Sequence, residues 1–161
     1  MHANAARVAE SAERLGAAIE VVHFEETTRT ADDAAAAIGV HVGQIVKSLV
    51  FGVIHPDGSD EIVLALVPGD LQCATDALAL AAGGTSTHRV DADSVRAATG
   101  FPIGGVPPFG HATELRVFLD PAFLEHDVVW AAAGTPNDVF SIAPTDLARA
   151  ARAIVVSIGH R

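Results

Sequence analysis

The chain has one cysteine, one lysine and no run of about 20 uninterrupted apolar residues among its 161 positions. Each scarcity excludes something. Cys73, alone, cannot close an intramolecular disulfide and suits a reducing cytoplasm. Without a long apolar run no membrane-spanning helix is expected. The opening MHANAARVAESAERLG carries two glutamates and lacks the basic-then-apolar layout of an export signal. Ten basic residues stand against twenty acidic ones, a net charge of −10, which argues against a protein that coats DNA or RNA through a broad basic face. A small contact with one end of an RNA needs only a few positive groups and stays open. The eight histidines form no HxH, HExxH or His/Cys cluster, and no Walker loop, dinucleotide fingerprint or GxSxG is present. No metal and no cofactor are expected.

What is there is half apolar and 19% charged, enough to bury a core within one domain covering residues 1–161. Ala5, Val8, Ala12 and Leu15 at helical spacing predict a first helix stopped at Gly16. AIEVVHF reads as a strand. Thr30 as N-cap and Gly39 as stop bracket a short helix. Around the turn HPDGSD, strands at about 47–54 and 61–67 make a hairpin. Asp70 reads as the cap of a helix through LQCATDALALAA, and Asp91 and Gly100 bracket another helix. Strands follow near 114–119, 127–132 and 139–142, then a helix from Pro144 and a last strand AIVVSI. The mixture lacks regular βαβ alternation. It predicts an α/β domain with a mixed sheet of about six or seven strands flanked by helices.

Nine of the ten basic residues are arginines, so Lys47 in QIVKSLVFG holds a position arginine does not fill. In a strand Lys47 shares a face with Leu49, Phe51 and Val53, and Ser48 lies on the other with Val50. Such a lysine either covers apolar surface with its stem at the strand end or sits at the rim of a pocket. At a rim, partial burial lowers its pKa for acid–base or nucleophilic work; left charged, it binds a phosphate or stabilises an oxyanion.

Two Gly/Pro stretches add to this. FPIGGVPPFGH (101–111) and AGTPND (133–138) are either connecting turns or rigid loops that aim N–H groups at a carbonyl or phosphate. Asn137 is a further donor or a turn residue, and His111 borders the first loop. Cys73, among Ala and Leu, reads as a small core residue.

In this order, TRTADDAAAAIGVHVGQIVKSLVF (28–51), PGD (68–70), ATGFPIGGVPPFGH (98–111) and WAAAGTPNDVFSIAPTDLARA (130–150) resemble the YbaK/ProX family of aminoacyl-tRNA deacylases. The resemblance implies a mixed, barrel-like sheet with a pocket between sheet and helices, no metal, and hydrolysis of the ester joining a wrong amino acid to tRNA, as in editing for proline tRNA. It implies that Lys47 is the essential lysine, Ser48 the hydroxyl residue beside it, Gly104 and Gly105 the substrate-facing loop and Gly134 the last pocket loop. The partners implied are the acceptor end of a mischarged tRNA and an aminoacyl-tRNA synthetase. Two departures stand out from the cysteine-specific branch: Ala132 where a serine is expected, and Val139 where an aspartate is. After PGD a basic continuation is also expected, and LQCATD has none. The competing readings are a non-catalytic module binding an aminoacyl-adenosine-like ligand or a synthetase, and an esterase acting on small acyl esters.

Overall fold

The computed structural model describes residues 1–26 and 30–161. Thr28 and Arg29, which open the first resembling stretch, lie outside the described residues.

Helix α1 (Ala3–Arg14) buries Ala5, Val8 and Ala12, the periodic stripe its sequence predicts. Helix α2 (Ala31–Ile38) is capped by the Thr30 side chain, which accepts from Asp33 N, and ends at left-handed Gly39. The hairpin strands are β2 (Val46–Ile54) and β3 (Asp60–Pro68), in antiparallel register with Lys47 opposite Val67. Helix α4 (Ala92–Thr99) follows its Asp91 cap and stops at Gly100, as expected.

Elsewhere distant partners override the local signal. The expected helix from Asp70 begins only at Thr75 (α3, Thr75–Ala82), because Gln72–Cys73 forms a short strand, β4, against the C-terminal β10 (Gly159–His160). Cys73 therefore lies on a strand. The expected last strand is cut to Ile154–Val155 (β9), and AIEVVHF to Val21–His23 (β1). Strand β5 (Ser86–Arg89) gives little sequence signal and is held by pairing with β2. The remaining elements are β6 (Arg116–Leu119), β7 (Val129–Ala132), β8 (Asp138–Ile142) and α5 (Pro144–Ala150).

The principal sheet runs β5-β2-β3-β6-β9, antiparallel on its β2 side and parallel at β3/β6 and β6/β9. A second, antiparallel sheet runs β1-β8-β7. The α/β class and mixed sheet match the expectation, with ten strands among the described residues shared among three sheets in place of six or seven in one. Strand β3 is buried on both faces, which explains its unbroken apolar run IVLALV. Val46, Leu64 and Leu66 face the larger core with Val8, Phe101, Phe109, Phe140 and Leu147. Val53, Val63, Ala65 and Val67 face the other way, onto Leu78 and Ala82 of α3, Phe118 and Ile158.

Only residues 51–54 of β2 pair with β5, and just before its start the Ile45–Trp130 bridge is the one β-bridge between the two sheets among the described residues. Among the described residues, one edge of β2 therefore has no hydrogen-bonded strand partner across about residues 46–50. That opening positions the site.

Buried Asp120 ties the C-terminus down: one carboxylate oxygen accepts from Ala122 N (2.9 Å), the other from Ile158 N (3.0 Å) and Gly159 N (2.7 Å). Asp120→Ala strands three donors and is expected to lower unfolding free energy by about 3 kcal/mol in a denaturant titration.

Candidate functional site

Lys47 stands at the opening, half-buried, with Nζ donating to the Leu71 carbonyl. Burial lowers its pKa from the ordinary 10.5, while Asp70, Cys73 and Asp32 oppose that shift. The sequence choice between a strand-end and a rim lysine resolves geometrically: Lys47 lines two cavities. The larger, about 620 Å³, is also lined by Ser48, Leu49, Phe51, Gln72, Cys73, Thr75, Arg89 and Val106. The smaller, about 150 Å³, has mostly apolar walls including Ala34, Ile38, Ile45, Trp130, Ala132 and Val139. Gly104 is the other residue common to both.

Each cavity wall includes a residue with an unsatisfied polar atom. Among the described residues, Ser48 Oγ and Trp130 Nε1 are buried without a hydrogen-bond partner. A buried group left this way costs about 1–3 kcal/mol. The Cys73 thiol, beside Lys47, is pushed up to about 11 by burial, so at neutral pH it is a protonated wall residue and a poor nucleophile.

The first Gly/Pro loop forms the lip. Pro102 to Gly105 is a turn closed by Gly105 N donating to Pro102 O (2.9 Å), with exposed Gly104 at φ +86 in its third position. Gly105 N–H is therefore committed within the loop, which leaves Gly104 as the glycine presented to both cavities. Gly105 instead packs against the second loop: a Cβ there would lie 2.8 Å from Gly134 C and O and from Thr135 Cα. Gly134, at φ +94, gives its carbonyl to Asn4 Nδ2 (3.0 Å) and supports the lip from behind. Asn137 Nδ2 donates to Phe24 O (3.0 Å) and its N–H to Thr135 Oγ1 (3.2 Å); it lines neither cavity and secures the loop.

His111 is carried away from Lys47. Its Nε2 donates to Pro107 O (2.7 Å), and it lines a separate open cavity of about 750 Å³ with Arg14, Arg116 and Arg152. Burial lowers its pKa.

Three lining residues escaped sequence reasoning. Trp130, the only tryptophan, carried a signal in its rarity. Asp138 is buried at the small cavity, one oxygen accepting from Thr135 Oγ1 and the other 2.9 Å from His23 Nδ1; nothing in NDVF announced burial. Arg89 depended on recognising β5. Among the described residues no group of three His, Cys, Asp or Glu gathers to hold a metal ion, and no helix is long and apolar enough to cross a membrane.

The site is thus a two-chamber pocket with a partly desolvated cation at the junction, suited to a ligand with a small end and a larger end joined beside that cation. Comparison with known proteins gives that ligand class. The model of the aminoacyl-tRNA editing domain matches residues 25–150, and the chain belongs to this family. It is an aminoacyl-tRNA deacylase, a hydrolase of the ester between amino acid and tRNA.

A solved structure described as "a putative trans-editing enzyme for prolyl tRNA synthetase" superposes with a TM-score of 0.90 at 38% identity, over 100% of this chain and 99% of that one. The uncharacterized protein YwhH of Bacillus subtilis is 31% identical over 80% of this chain and 78% of its own length. The "Putative Cys-tRNA(Pro)/Cys-tRNA(Cys) deacylase EbsC" of Enterococcus faecalis is 26% identical over 75% of this chain and 71% of its own. The match to the proline–tRNA ligase of Thermosipho africanus, 34% identical over 60% of this chain, takes in only 16% of that enzyme.

Proposed function

We propose that residues 1–161 form one free-standing trans-editing unit that removes a small amino acid, alanine in preference to cysteine, from mischarged proline tRNA in the cytoplasm. The observation that carries this reading is the pair of unequal cavities sharing Lys47 and Gly104. The small chamber takes the amino-acid side chain. Its walls at Ala132 and Val139 are apolar, and the hydroxyl and carboxylate that do line it, Thr135 and Asp138, bond to each other, so a methyl group suits it better than cysteine. The large chamber takes the terminal nucleotide.

In this mechanism the ester carbonyl lies at the junction. The Lys47 ammonium holds the aminoacyl ester end, and Gly104 N–H faces the oxygen that becomes negative when water adds. Among the described residues the one carboxylate that lines either cavity, Asp138, is already engaged by Thr135 Oγ1 and His23 Nδ1, so the substrate's own amine or ribose hydroxyl takes the proton of the attacking water. Water adds to the carbonyl carbon, the tetrahedral intermediate collapses, and the ribose oxygen leaves with a proton, releasing free amino acid and tRNA. A covalent route through Lys47 would convert the ester into an amide, which is harder to hydrolyse. Ser48 and the Gly105–Gly134 contact position these groups, and a synthetase partner supplies RNA affinity that a chain of charge −10 lacks.

The test is deacylation of labelled alanyl-, seryl- and cysteinyl-proline tRNA by the wild-type protein. Alanyl ester hydrolysed at least about tenfold faster than cysteinyl is the expected result. Faster cysteinyl hydrolysis overturns the substrate assignment. Turnover of small acyl esters with no salt dependence supports the esterase, and no turnover at all the binding module.

A further inference from the structure

The sequence lacks the basic residue expected after Asp70, and the larger cavity has only Gln72, Cys73 and Thr75 from that stretch. A cation reaches the same cavity from another strand. Arg89 ends β5 and faces Phe51 across the β2–β5 ladder. Cross-strand partners project to the same side of a sheet, and Phe51 shares its side with Lys47 by the two-residue period. Arg89 and Lys47 therefore rise from one face at opposite ends of the unpaired β2 edge. Phe51 is four residue steps along the strand from Lys47, about 13 Å. Both side chains line the 620 Å³ cavity.

Arg89 also differs from its neighbours in pairing. His88 binds Asp60 (2.8 Å) and Arg116 binds Glu61 (2.7 Å), whereas no carboxylate lies within ion-pair distance of Arg89 among the described residues. An exposed strand-end arginine is ordinarily a solvated group. This one stands at the mouth of a cavity in a strongly acidic protein, on the same face as the site lysine.

We propose that Arg89 is the phosphate-contacting residue of this site, holding a phosphate of the terminal nucleotide while Lys47 holds the ester end. The assignment rests on the deacylase reading above. A guanidinium fork suits a phosphate better than an ammonium does, and two cations at the ends of a strand gap fix the ligand's direction as well as its affinity. The basic group missing after Asp70 is thereby supplied from β5.

The test compares Arg89→Gln, Arg89→Lys and a control, Arg152→Gln, whose arginine lines the separate cavity. Deacylation is measured across a salt series, and binding of adenosine 5′-monophosphate and of adenosine is measured directly. For Arg89→Gln the expected result is a KM raised about tenfold with kcat within about twofold, and a log–log salt slope shallower by about 0.7, one single-strand phosphate contact. Arg89→Lys restores most of the loss and Arg152→Gln changes nothing. An Arg89→Gln protein that matches the control in KM and slope, or that loses kcat at unchanged KM, overturns the assignment. Should the wild type deacylate no aminoacyl-tRNA, the deacylase reading fails and Arg89 is judged on binding alone. A preference for the monophosphate over adenosine that disappears in Arg89→Gln upholds the contact; no preference, or no binding of either, overturns it.

Discussion

Replacing Lys47 with methionine is expected to lower kcat/KM for deacylation by about a thousandfold, the scale of losing a charged group that acts on the reacting atoms. Methionine keeps the apolar stem that packs at the head of β2 and removes only the ammonium, so an effect of this size reports charge, and a lost packing role would not mimic it. The fold should survive, because the folded protein bears a cost for Lys47. Burial lowers its pKa, so between the folded and unfolded pKa values the unfolded chain binds more protons. Wild-type stability therefore rises with pH through that window, and Lys47→Met, without the buried charge, is expected to be at least as stable as wild type at neutral pH. Activity should run the other way. If the ammonium anchors the ester, kcat/KM corrected for spontaneous hydrolysis falls on the alkaline side as Lys47 loses its proton, at a pH below the ordinary 10.5. A rise through the same region would make neutral lysine the base, and an unchanged rate in Lys47→Met would remove it from the mechanism.

The lysine was legible because its signal is local and rare: one lysine, at the head of an apolar strand whose two-residue period fixes its face. Helices α2 and α4 were legible for a similar reason, since Thr30, Asp91, Gly39 and Gly100 act within a turn of their own helix. What failed depends on residues far apart in the chain. Asp70 resembles a cap, yet Gln72–Cys73 pairs with Gly159–His160, about 87 residues away, so the helix starts later. SerThrHisArg has little strand signal of its own and becomes β5 by pairing with β2. That missed strand hid Arg89.

The same limit applies inside the site. Gly104 and Gly105 are alike in having no side chain, and only the bond from Gly105 N to Pro102 O distinguishes the committed donor from the one presented at the cavity mouth. His111 sits next to the loop in sequence and is turned by its bond to Pro107 O into another cavity. Composition and period place a residue on an element and a face; they do not say which backbone N–H groups the turn has already used.

Gly105→Ala is expected to lower kcat/KM by about a hundredfold, the scale of displacing a catalytic group by roughly an ångström. The added methyl would lie 2.8 Å from backbone atoms of Gly134 and Thr135, which no rotamer change can move aside. The two loops must separate, and Gly104 moves with the lip away from Lys47. Loss of stability alone cannot distinguish this from ordinary strain, so Gly58→Ala serves as the comparison. Gly58 lies in the β2–β3 turn at φ +85, and a methyl added there would meet nothing within 4 Å, so alanine costs only left-handed strain, about 1–2 kcal/mol. Both variants should melt earlier than wild type, but only Gly105→Ala should lose activity at a temperature where each is fully folded. Equal activity in the two would mean that the close approach of the loops serves folding alone and that Gly104 needs no support from behind.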